Sequence, residues 1–314
     1  MVVATLAIVE DPQPELYFAV KSNDDEEDVV DKAINNPDAD ILIVQPKPIT
    51  SKLRTTIRHL HARAGRWSPF RGFGLFVIWC LCRAILVSIL SFGASGPCIV
   101  RSIAKIASEL VLSTLELAWV HIVISEPSTK PLYKRIPGPQ SWVKIAPAVA
   151  LRATASQVCF LLPAYLGTVL NVFRPDMNGA LLMPSDDRSP HAGLAALAVL
   201  ILSLALTVLI EVPATVTMVR VAASMLPDGD EAIVPFDRTF GGKVTPAAVG
   251  GSGKIGLLDA WKTFTWPSRV RLLKVLGKVF GMLMAVVVLF SLIVVAGLAV
   301  LPRGTFKEFL GDNR

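Results

Sequence analysis

The residues best suited to chemistry in this sequence are charged side chains inside long apolar stretches. Arg83 lies near the middle of one apolar run, and Glu109 and Glu116 lie within the next. A charge at the bilayer centre costs about 2.5–3.5 kcal/mol on insertion scales, so it is seldom left without a partner. Because consecutive spans run in opposite directions, we predict that Arg83 and Glu116 meet at one depth and neutralise each other.

The second apolar run also carries a polar stripe. Glu109, Ser113 and Glu116 follow i, i+4, i+7 spacing, which places them on one face of a helix. Such a face would turn away from lipid towards neighbouring helices. One interpretation is a polar path for an ion, a proton or a lipid headgroup. The other, which we favour, is an ion pair that holds two helices together.

A later apolar run ends in a second polar group. Glu211 is followed by Pro213 and then by Arg220. The group could break the span as a polar site. We favour the alternative that Glu211 and Arg220 lie near the interface and that their side chains reach water.

Motifs for catalysis or metal binding are not recognisable in the sequence. The string VGGSGKIG lacks both the first glycine and the hydroxyl residue of a phosphate-binding loop. Cys80 and Cys82 lack the second pair of ligands that a zinc site needs. We therefore predict no enzyme activity, no cofactor and no metal site. The four cysteines lie in or beside apolar segments, which predicts small buried apolar groups.

The elements that must position these residues are long apolar helices. The chain is 53% hydrophobic and only 18% charged, below the roughly 25% charge of soluble domains. A helix needs about 20 apolar residues to cross a hydrocarbon core of about 30 Å. We predict an all-α integral membrane protein with about five spans, six being an open alternative. The predicted spans are residues 72–93, 105–124, 150–173, 193–213 and 277–301.

Residues 1–71 precede the first span and change character along their length. The runs VVATLAIV, LYFAV and ILIV predict short strands. With a helix opening at Asp24 and ending near Asn35, they would form a small β-α-β element, unless the segment is disordered.

The end of this region is basic. From Lys47 to Arg71 the chain has seven Lys or Arg and two His without one acidic residue. This pattern favours contact with the anionic cytosolic leaflet, at about 1 kcal/mol per charge, over contact with nucleic acid.

The distribution of basic residues predicts the orientation. In the termini and the connections between spans, 19 Lys and Arg fall on the side of the N-terminus and 6 on the other side, which includes the tail 302–314, and the other six lie in or at the ends of spans. By the positive-inside rule, the N-terminus faces the cytosol. We expect a multi-pass protein of the endomembrane system.

The second long loop, residues 226–272, ends in LLDAWKTFTWPSRVRLLKVLGK, which predicts an interfacial helix before the last span. Trp142 and Arg152 are ten residues apart, as are Trp261 and Arg271. These matches indicate a weak internal duplication of two halves, a feature that many membrane proteins share. Chance matching between apolar segments is the alternative.

The segments IVPFDRTFGG and DAWKTFTWPSRVRLL resemble multi-pass membrane proteins from filamentous fungi, some of which carry the label ubiquitin carrier protein. The resemblance covers mainly residues 105–300 and implies the membrane architecture. It implies nothing catalytic, because a ubiquitin-conjugating enzyme needs a soluble α/β domain with an active-site cysteine.

Two functions follow from the residues and the resemblance. We predict a non-enzymatic membrane protein that organises or adapts an endomembrane and uses its cytosolic face for protein partners. The alternative is a small transporter or channel, with Arg83, Glu109 and Glu116 lining its path.

Overall fold

The computed structural model describes ten stretches of the chain, and the account below is confined to them. They are residues 2–10, 16–19, 41–44, 48–91, 98–128, 131–175, 181–182, 192–227, 229–245 and 250–300.

The described chain begins with helix α1 (Val2–Val9). The prediction of a strand for these residues is wrong. A run of eight residues that is apolar on every side has no periodicity to separate a strand from a buried helix, and tertiary packing decides. The other two predicted strands are present: β1 (Leu16–Ala19) pairs with β2 (Ile41–Val44). They pair antiparallel, so they are a ribbon and not a β-α-β unit. The predicted acidic helix lies outside the described residues.

Helix α2 (Leu53–Ala64) covers the basic segment before the first span. It ends at Gly65, whose φ of 80° favours glycine and whose N–H donates to the carbonyl of His61. A 3-10 turn, Ser68–Phe70, then leads into the membrane helices.

The membrane helices form five segments. The first is α3 (Phe73–Leu90), and the second is a bent pair, α4 (Cys98–Val111) and α5 (Ser113–Ile124). The others are α6 (Pro139–Val169), α7 (Ala192–Leu206) continued by α8 (Val212–Ser224), and, after the short α9 (Leu257–Lys262), α10 (Trp266–Val300). By length and composition, four segments of the described chain are able to cross a membrane, or five if the bent pair is one span.

The bent pair crosses the bundle beside α3. Near the start of α3, Leu75 packs against Ala118 and Ile122 of α5. Farther along α3, Arg83 contacts Glu109 of α4. The contacts of α3 therefore move backwards along the pair, so the two run antiparallel and the pair does not return to its own side. This geometry fits a broken span, and the described chain then has five candidate spans.

Two connections use backbone geometry that departs from a regular helix. A π-helical turn, Thr207–Glu211, joins α7 to α8; Pro213 follows it and cannot donate a helical hydrogen bond, which relaxes the helix there. At the start of α3, Gly72 has a φ of 73°, and a Cβ on it would lie 2.9 Å from Trp119 Cδ1. Glycine therefore allows α3 to begin against α5. A second antiparallel pair, β3 (Arg174–Pro175) and β4 (Leu181–Leu182), lies between α6 and α7.

The predicted interfacial helix differs from the observed structure. The stretch from Trp266 onwards belongs to α10, one helix of 35 residues that includes the last apolar run. A separate short helix, α9, precedes it. The residues between them lie at the turn Thr263–Thr265, where the Arg269 N–H donates to Thr265 O and begins the new helix.

The buried core of the described chain is concentrated at one end of the bundle. It contains α1, Leu60 of α2, the last turns of α5 and α8, the first turns of α6 and α10, the loop between α8 and α9, and α9 with the turn that follows it. We call this region the packed end. By contrast, the large apolar side chains of α10 from Val279 to Val295 are between 42% and 66% exposed. Apolar side chains left bare in this way fit a helix that is surrounded by lipid.

Candidate functional site

Four charged side chains meet where α3, α4, α5 and α6 come together. Arg83 Nη2 lies 2.8 Å from Glu109 Oε1, and Arg83 Nε donates to the same oxygen at 3.0 Å. Arg152 Nη2 lies 3.1 Å from Glu109 Oε2 and 2.8 Å from Glu116 Oε1. The chain Arg83–Glu109–Arg152–Glu116 is balanced in charge and links four helices. We call it the charge network.

The charge network corrects the predicted pairing. Arg83 pairs with Glu109, and Glu116 pairs with Arg152. Arg152 is not among the predicted site residues, because it lies directly before the uncharged run that begins at Ala153. In the structure α6 begins at Pro139, so Arg152 lies thirteen residues inside the helix. The available signal was the uncharged stretch from Ile145 to Leu151, which extends the apolar helix by about two turns before Arg152 and so places Arg152 inside it.

The network surrounds the break between α4 and α5. The two helices are bent by 59° at Leu112. Glu116 lies in the first turn of α5, where the positive end of the helix dipole stabilises a carboxylate. Glu109 lies near the end of α4, where the dipole opposes it. Two arginines therefore bind Glu109, whereas Glu116 is bound by Arg152.

Burial differs along the network. The side chains of Glu109, Glu116 and Arg152 are 5%, 12% and 16% exposed, whereas Arg83 is 30% exposed. The guanidinium of Arg83 also lies over the ring of Trp79, 5.5 Å from its centroid. The network is thus closed towards α6 and more open beside α3.

Polar atoms without a partner accompany the network. Ser113 Oγ and Arg152 Nε are buried and make no hydrogen bond, and Trp79 Nε1 is in the same state. Ser113 was predicted to share a face with the two glutamates, and it stands at the first position of α5, beside the break. Buried polar atoms of this kind usually have a partner, so their presence here needs an explanation.

The broken span is held from α6 as well. The indole of Trp142 donates to the carbonyl of Leu110 at 2.8 Å, in the last turn of α4. Farther along, Lys105 Nζ lies 5.0 Å from the ring centroid of Phe160. Both contacts fix α4 against α6, on either side of the charge network along the helix.

The other two predicted site residues lie apart from the network. Glu211 ends the π-helical turn, is partly exposed and has no ion pair within the described part of the chain. Arg220 lies at the packed end and is 1% exposed. The prediction that Arg220 reaches water is therefore wrong, because α1, α9 and the preceding loop cover this end of α8.

Arg220 joins three parts of the packed end. Its Nη1 donates to the carbonyl of Ile8 at 3.2 Å and its Nη2 donates to Thr263 Oγ1 at 3.2 Å. The guanidinium lies 4.7 Å from the ring centroid of Phe240 and 5.6 Å from that of Phe264. The positive charge of Arg220 at the carbonyl end of α1 also interacts favourably with the dipole of that helix.

The residue after α1 is held in the same way. The Glu10 carboxylate accepts hydrogen bonds from the N–H groups of Ile49 and Thr50 at 2.6 and 3.0 Å, and from the Thr50 hydroxyl. Arg271 Nη1 lies 3.6 Å from Glu10 Oε2, and its Nη2 donates to the Glu10 carbonyl at 2.8 Å. The sequence interpretation did not single out Glu10 or Arg271 as a pair, because 261 residues separate them.

The cysteines differ from the prediction. Cys159 is buried, and its thiol donates to the carbonyl of Leu206 at 3.4 Å. Cys80 and Cys98 are exposed and Cys82 is intermediate, because they face outwards from apolar helices. Among the described residues, no three His, Cys, Asp or Glu side chains lie close enough to hold a metal ion.

No known protein family, curated protein or solved structure matches this chain. The bundle of apolar helices is compatible with a multi-pass membrane protein. The function must therefore be argued from the charge network and the packed end.

Proposed function

We propose that the chain is a non-enzymatic membrane protein that organises or adapts an endomembrane and presents its packed end to cytosolic partners. The observation that carries the proposal is the location of the core. The largest fully buried side chains include Arg220, Phe264, Leu6 and Leu60, all at the packed end. A chain that builds its best-packed region at one end of its spans, together with α1 and α9, has a folded platform there. The fungal multi-pass proteins that its sequence resembles would share this architecture.

The basic segment fits a platform that lies on an anionic leaflet. On α2, Arg54, Arg58 and His61 are exposed and follow i, i+4, i+7 spacing, so they share one face. Trp67 and Phe70 are 80% and 64% exposed just before α3. Exposed cations beside aromatic rings are typical of a surface that meets lipid headgroups. This supports the predicted contact of residues 47–71 with the cytosolic leaflet and the cytosolic orientation of the packed end.

Not all of the basic residues serve that surface. Arg63 Nη1 lies 2.8 Å from Glu126 Oε1, and the His59 ring bonds to the carbonyl of Ile233 at 3.0 Å. These two contacts hold α2 to the platform. The exposed row Arg54, Arg58 and His61 remains available to contact lipid headgroups.

Under this proposal the charge network holds α3, α4, α5 and α6 together. Removing one member of a buried, paired set costs about 3–5 kcal/mol because a buried charge loses its partner. The network has no net charge, and each carboxylate contacts an arginine. Those features are what a structural role requires.

A specific observation favours the second candidate, a small transporter or channel. The charge network surrounds a helix break, and Ser113 Oγ and Arg152 Nε are buried there without a partner. Discontinuous helices with polar groups at mid-depth are typical of substrate sites in transporters. An ion or a proton would move along Arg83, Glu109 and Glu116.

One substitution separates the two candidates. The full chain and its Glu116→Gln variant are reconstituted in sealed liposomes, and ion and proton flux is measured beside thermal unfolding. A platform predicts no flux above empty liposomes for either protein and a lower unfolding midpoint for E116Q. Flux in the wild type that E116Q abolishes, with the unfolding midpoint kept, would overturn the platform.

Glu211→Gln is the matched control. It makes the same chemical change inside a span, at a carboxylate without an ion pair in the described chain. We expect E211Q to unfold within about 1 kcal/mol of wild type, because surface and unpaired sites contribute little. Equal destabilisation by E211Q and E116Q would show that the charge network does not stabilise the packing of these helices.

A further inference from the structure

A cavity of about 210 Å³ opens at the packed end, apart from the charge network. It lies between the end of α5, the start of α6 and the loop after α8. Its polar lining comes from His121, Lys134, Arg135, Ser141 and Asp230. A cavity of this size is smaller than the roughly 300–1,000 Å³ of sites for drug-sized molecules, and it suits a single small polar group.

The wall formed by α6 and the turn before it is positive. Lys134 is exposed, and its ammonium group has no hydrogen bond or ion pair to the described residues. Arg135 Nη2 donates to Ser125 Oγ at 2.7 Å, which orients the guanidinium and leaves other N–H groups for a ligand. Gly138 is the N-cap residue of the 31-residue helix α6, and no side chain caps the helix. The uncapped N–H groups add a partial positive charge of about half an elementary unit.

The floor of the cavity is an acceptor. His121 is only 5% exposed, and its Nε2 lies 2.9 Å from the carbonyl of Ala222. A carbonyl only accepts hydrogen bonds, so Nε2 donates and Nδ1 of the neutral ring is an acceptor. Nδ1 has no partner among the described residues, although the ring is nine-tenths buried. The Asp230 carboxylate, also on the wall, is a second acceptor and reduces the net charge of the lining to one positive unit.

We propose that this cavity binds a phosphate group whose neighbouring atoms carry hydroxyls, as in a polyol phosphate. Lys134, Arg135 and the start of α6 bind the phosphate oxygens. His121 Nδ1 and Asp230 accept hydrogen bonds from the hydroxyls, which a bare inorganic anion cannot donate in the same number. The group has two possible sources with the same chemistry: a lipid headgroup such as phosphatidylinositol, or a free polyol phosphate. This site does not depend on the proposed function, since either candidate function tolerates it.

The test uses the full chain in an uncharged detergent. In one arm, the dissociation constants of glycerol 3-phosphate and inorganic phosphate are measured by calorimetry at constant ionic strength. In the other arm, native mass spectrometry measures how much phosphatidylinositol or phosphatidylcholine stays bound. Each arm compares the wild type, Lys134→Gln and the control Lys243→Gln, which removes an exposed charge from the loop between α8 and α9.

We expect K134Q to weaken binding about tenfold, because a hydrogen bond to a charged group contributes about 1.5–3 kcal/mol. K243Q should bind like the wild type. Retention of phosphatidylinositol over phosphatidylcholine, lost in K134Q, assigns the site to a lipid headgroup. Binding of glycerol 3-phosphate without selective retention of phosphatidylinositol assigns it to a free polyol phosphate.

Three results would overturn the proposal. They are the absence of binding in both arms, equal weakening by K134Q and K243Q, and inorganic phosphate binding as tightly as glycerol 3-phosphate. K134Q is chosen because Lys134 makes no side-chain contact that the fold requires, so the variant should fold. Arg135→Gln gives a second reading: it should weaken binding as well, and its thermal midpoint reports the separate loss of the Ser125 contact.

Discussion

Arg220 shows how one side chain connects distant parts of this protein. It ranks first by volume among the fully buried side chains of the described chain. Its guanidinium contacts the carbonyl of Ile8, the hydroxyl of Thr263 and the rings of Phe240 and Phe264. Arginine suits this position because its planar group donates in several directions and also stacks on aromatic rings.

We expect Arg220→Met to lower the free energy of unfolding by about 2–4 kcal/mol, because the Ile8 carbonyl and the Thr263 hydroxyl lose a charged donor. Arg220→Lys should recover only part of the loss, since an ammonium cannot reach both acceptors. Thermal unfolding of the full chain in detergent measures both variants, with Arg54→Met as the exposed control. An R220M midpoint equal to that of R54M would contradict the assigned role.

In the charge network, the local sequence predicts which residues are charged groups within spans but not which residues pair with each other. The apolar residues around Arg83, Glu109 and Glu116 predict that these side chains lie within spans. Their partners follow from the bend at Leu112, which turns the two glutamates towards Arg152.

At the scale of elements, α1 is a short helix whose stability comes from its surroundings. Eight residues are too few for a stable isolated helix in water. Thr5, Leu6, Ala7, Ile8 and Val9 are all buried, and α10, α5 and α8 contact the helix. Arg220 and Arg271 bind its carbonyl end. The helix therefore belongs to the core of the packed end and is not a mobile extension.

Leu6→Ala tests that conclusion. Leu6 has no exposed surface, and truncation of a buried leucine costs about 2–5 kcal/mol through lost transfer energy and a cavity. Val3→Ala, at a partly exposed position of the same helix, should cost under about 1.5 kcal/mol. Thermal unfolding compares the two. Equal and small losses would mean that α1 docks only loosely.

The turn around Asp237 positions Phe240, and it has a pH dependence. Asp237 accepts hydrogen bonds from the N–H of Gly241 at 2.7 Å and from the hydroxyl and N–H of Thr239. The Gly241 N–H and then the Thr239 hydroxyl lower the pKa of Asp237 below its ordinary value. Phe240 itself has a φ of 50°, an unusual value for a large residue, and lies against Arg220.

A carboxyl whose pKa is lower in the folded state stabilises the fold above its unfolded pKa and loses that contribution as pH falls through the folded value. For Asp237 this window lies below about pH 4, the ordinary value for aspartate. The unfolding midpoint of Asp237→Asn should therefore be slightly below that of the wild type at pH 7, and the difference should shrink as the pH falls below about 4. A difference that is constant between pH 7 and pH 3 would contradict this account.

For the whole molecule, the five spans alternate in direction, so the basic segment and the loop between α8 and α9 lie on the same side. Two packing contacts support this arrangement. His59 of α2 contacts Ile233 of that loop, and the broken span runs antiparallel to α3. If the bent pair returned to its own side, the loop would lie on the opposite side from α2.

Single cysteines test this arrangement in sealed vesicles. Arg58→Cys on α2 and Lys243→Cys in the loop, each in a chain whose four cysteines are replaced by alanine, should react with a membrane-impermeant maleimide from the same side. Asn171→Cys, at the other end of α6, should react only from the opposite side. Labelling of positions 58 and 243 from opposite sides would reduce the count from five to four.

The membrane class and the five apolar runs were predictable from the amino-acid sequence, which also predicts that Arg83, Glu109 and Glu116 lie within the spans. Apolar length and isolated charges are local properties, and the cost of exposing either to the wrong solvent is large enough to decide without tertiary context. The predicted duplication of halves, the cytosolic orientation and the lipid contact stay predictions.

The contact partners of these charged residues follow from the tertiary structure and not from the local sequence. Glu109 lies 43 residues from Arg152 and Ile8 lies 212 residues from Arg220. Contacts at such separations depend on how helices pack and bend, and nothing in the local pattern encodes them. The same reason explains α1: eight apolar residues fit a strand or a helix equally well until the surrounding helices and two arginines select the helix.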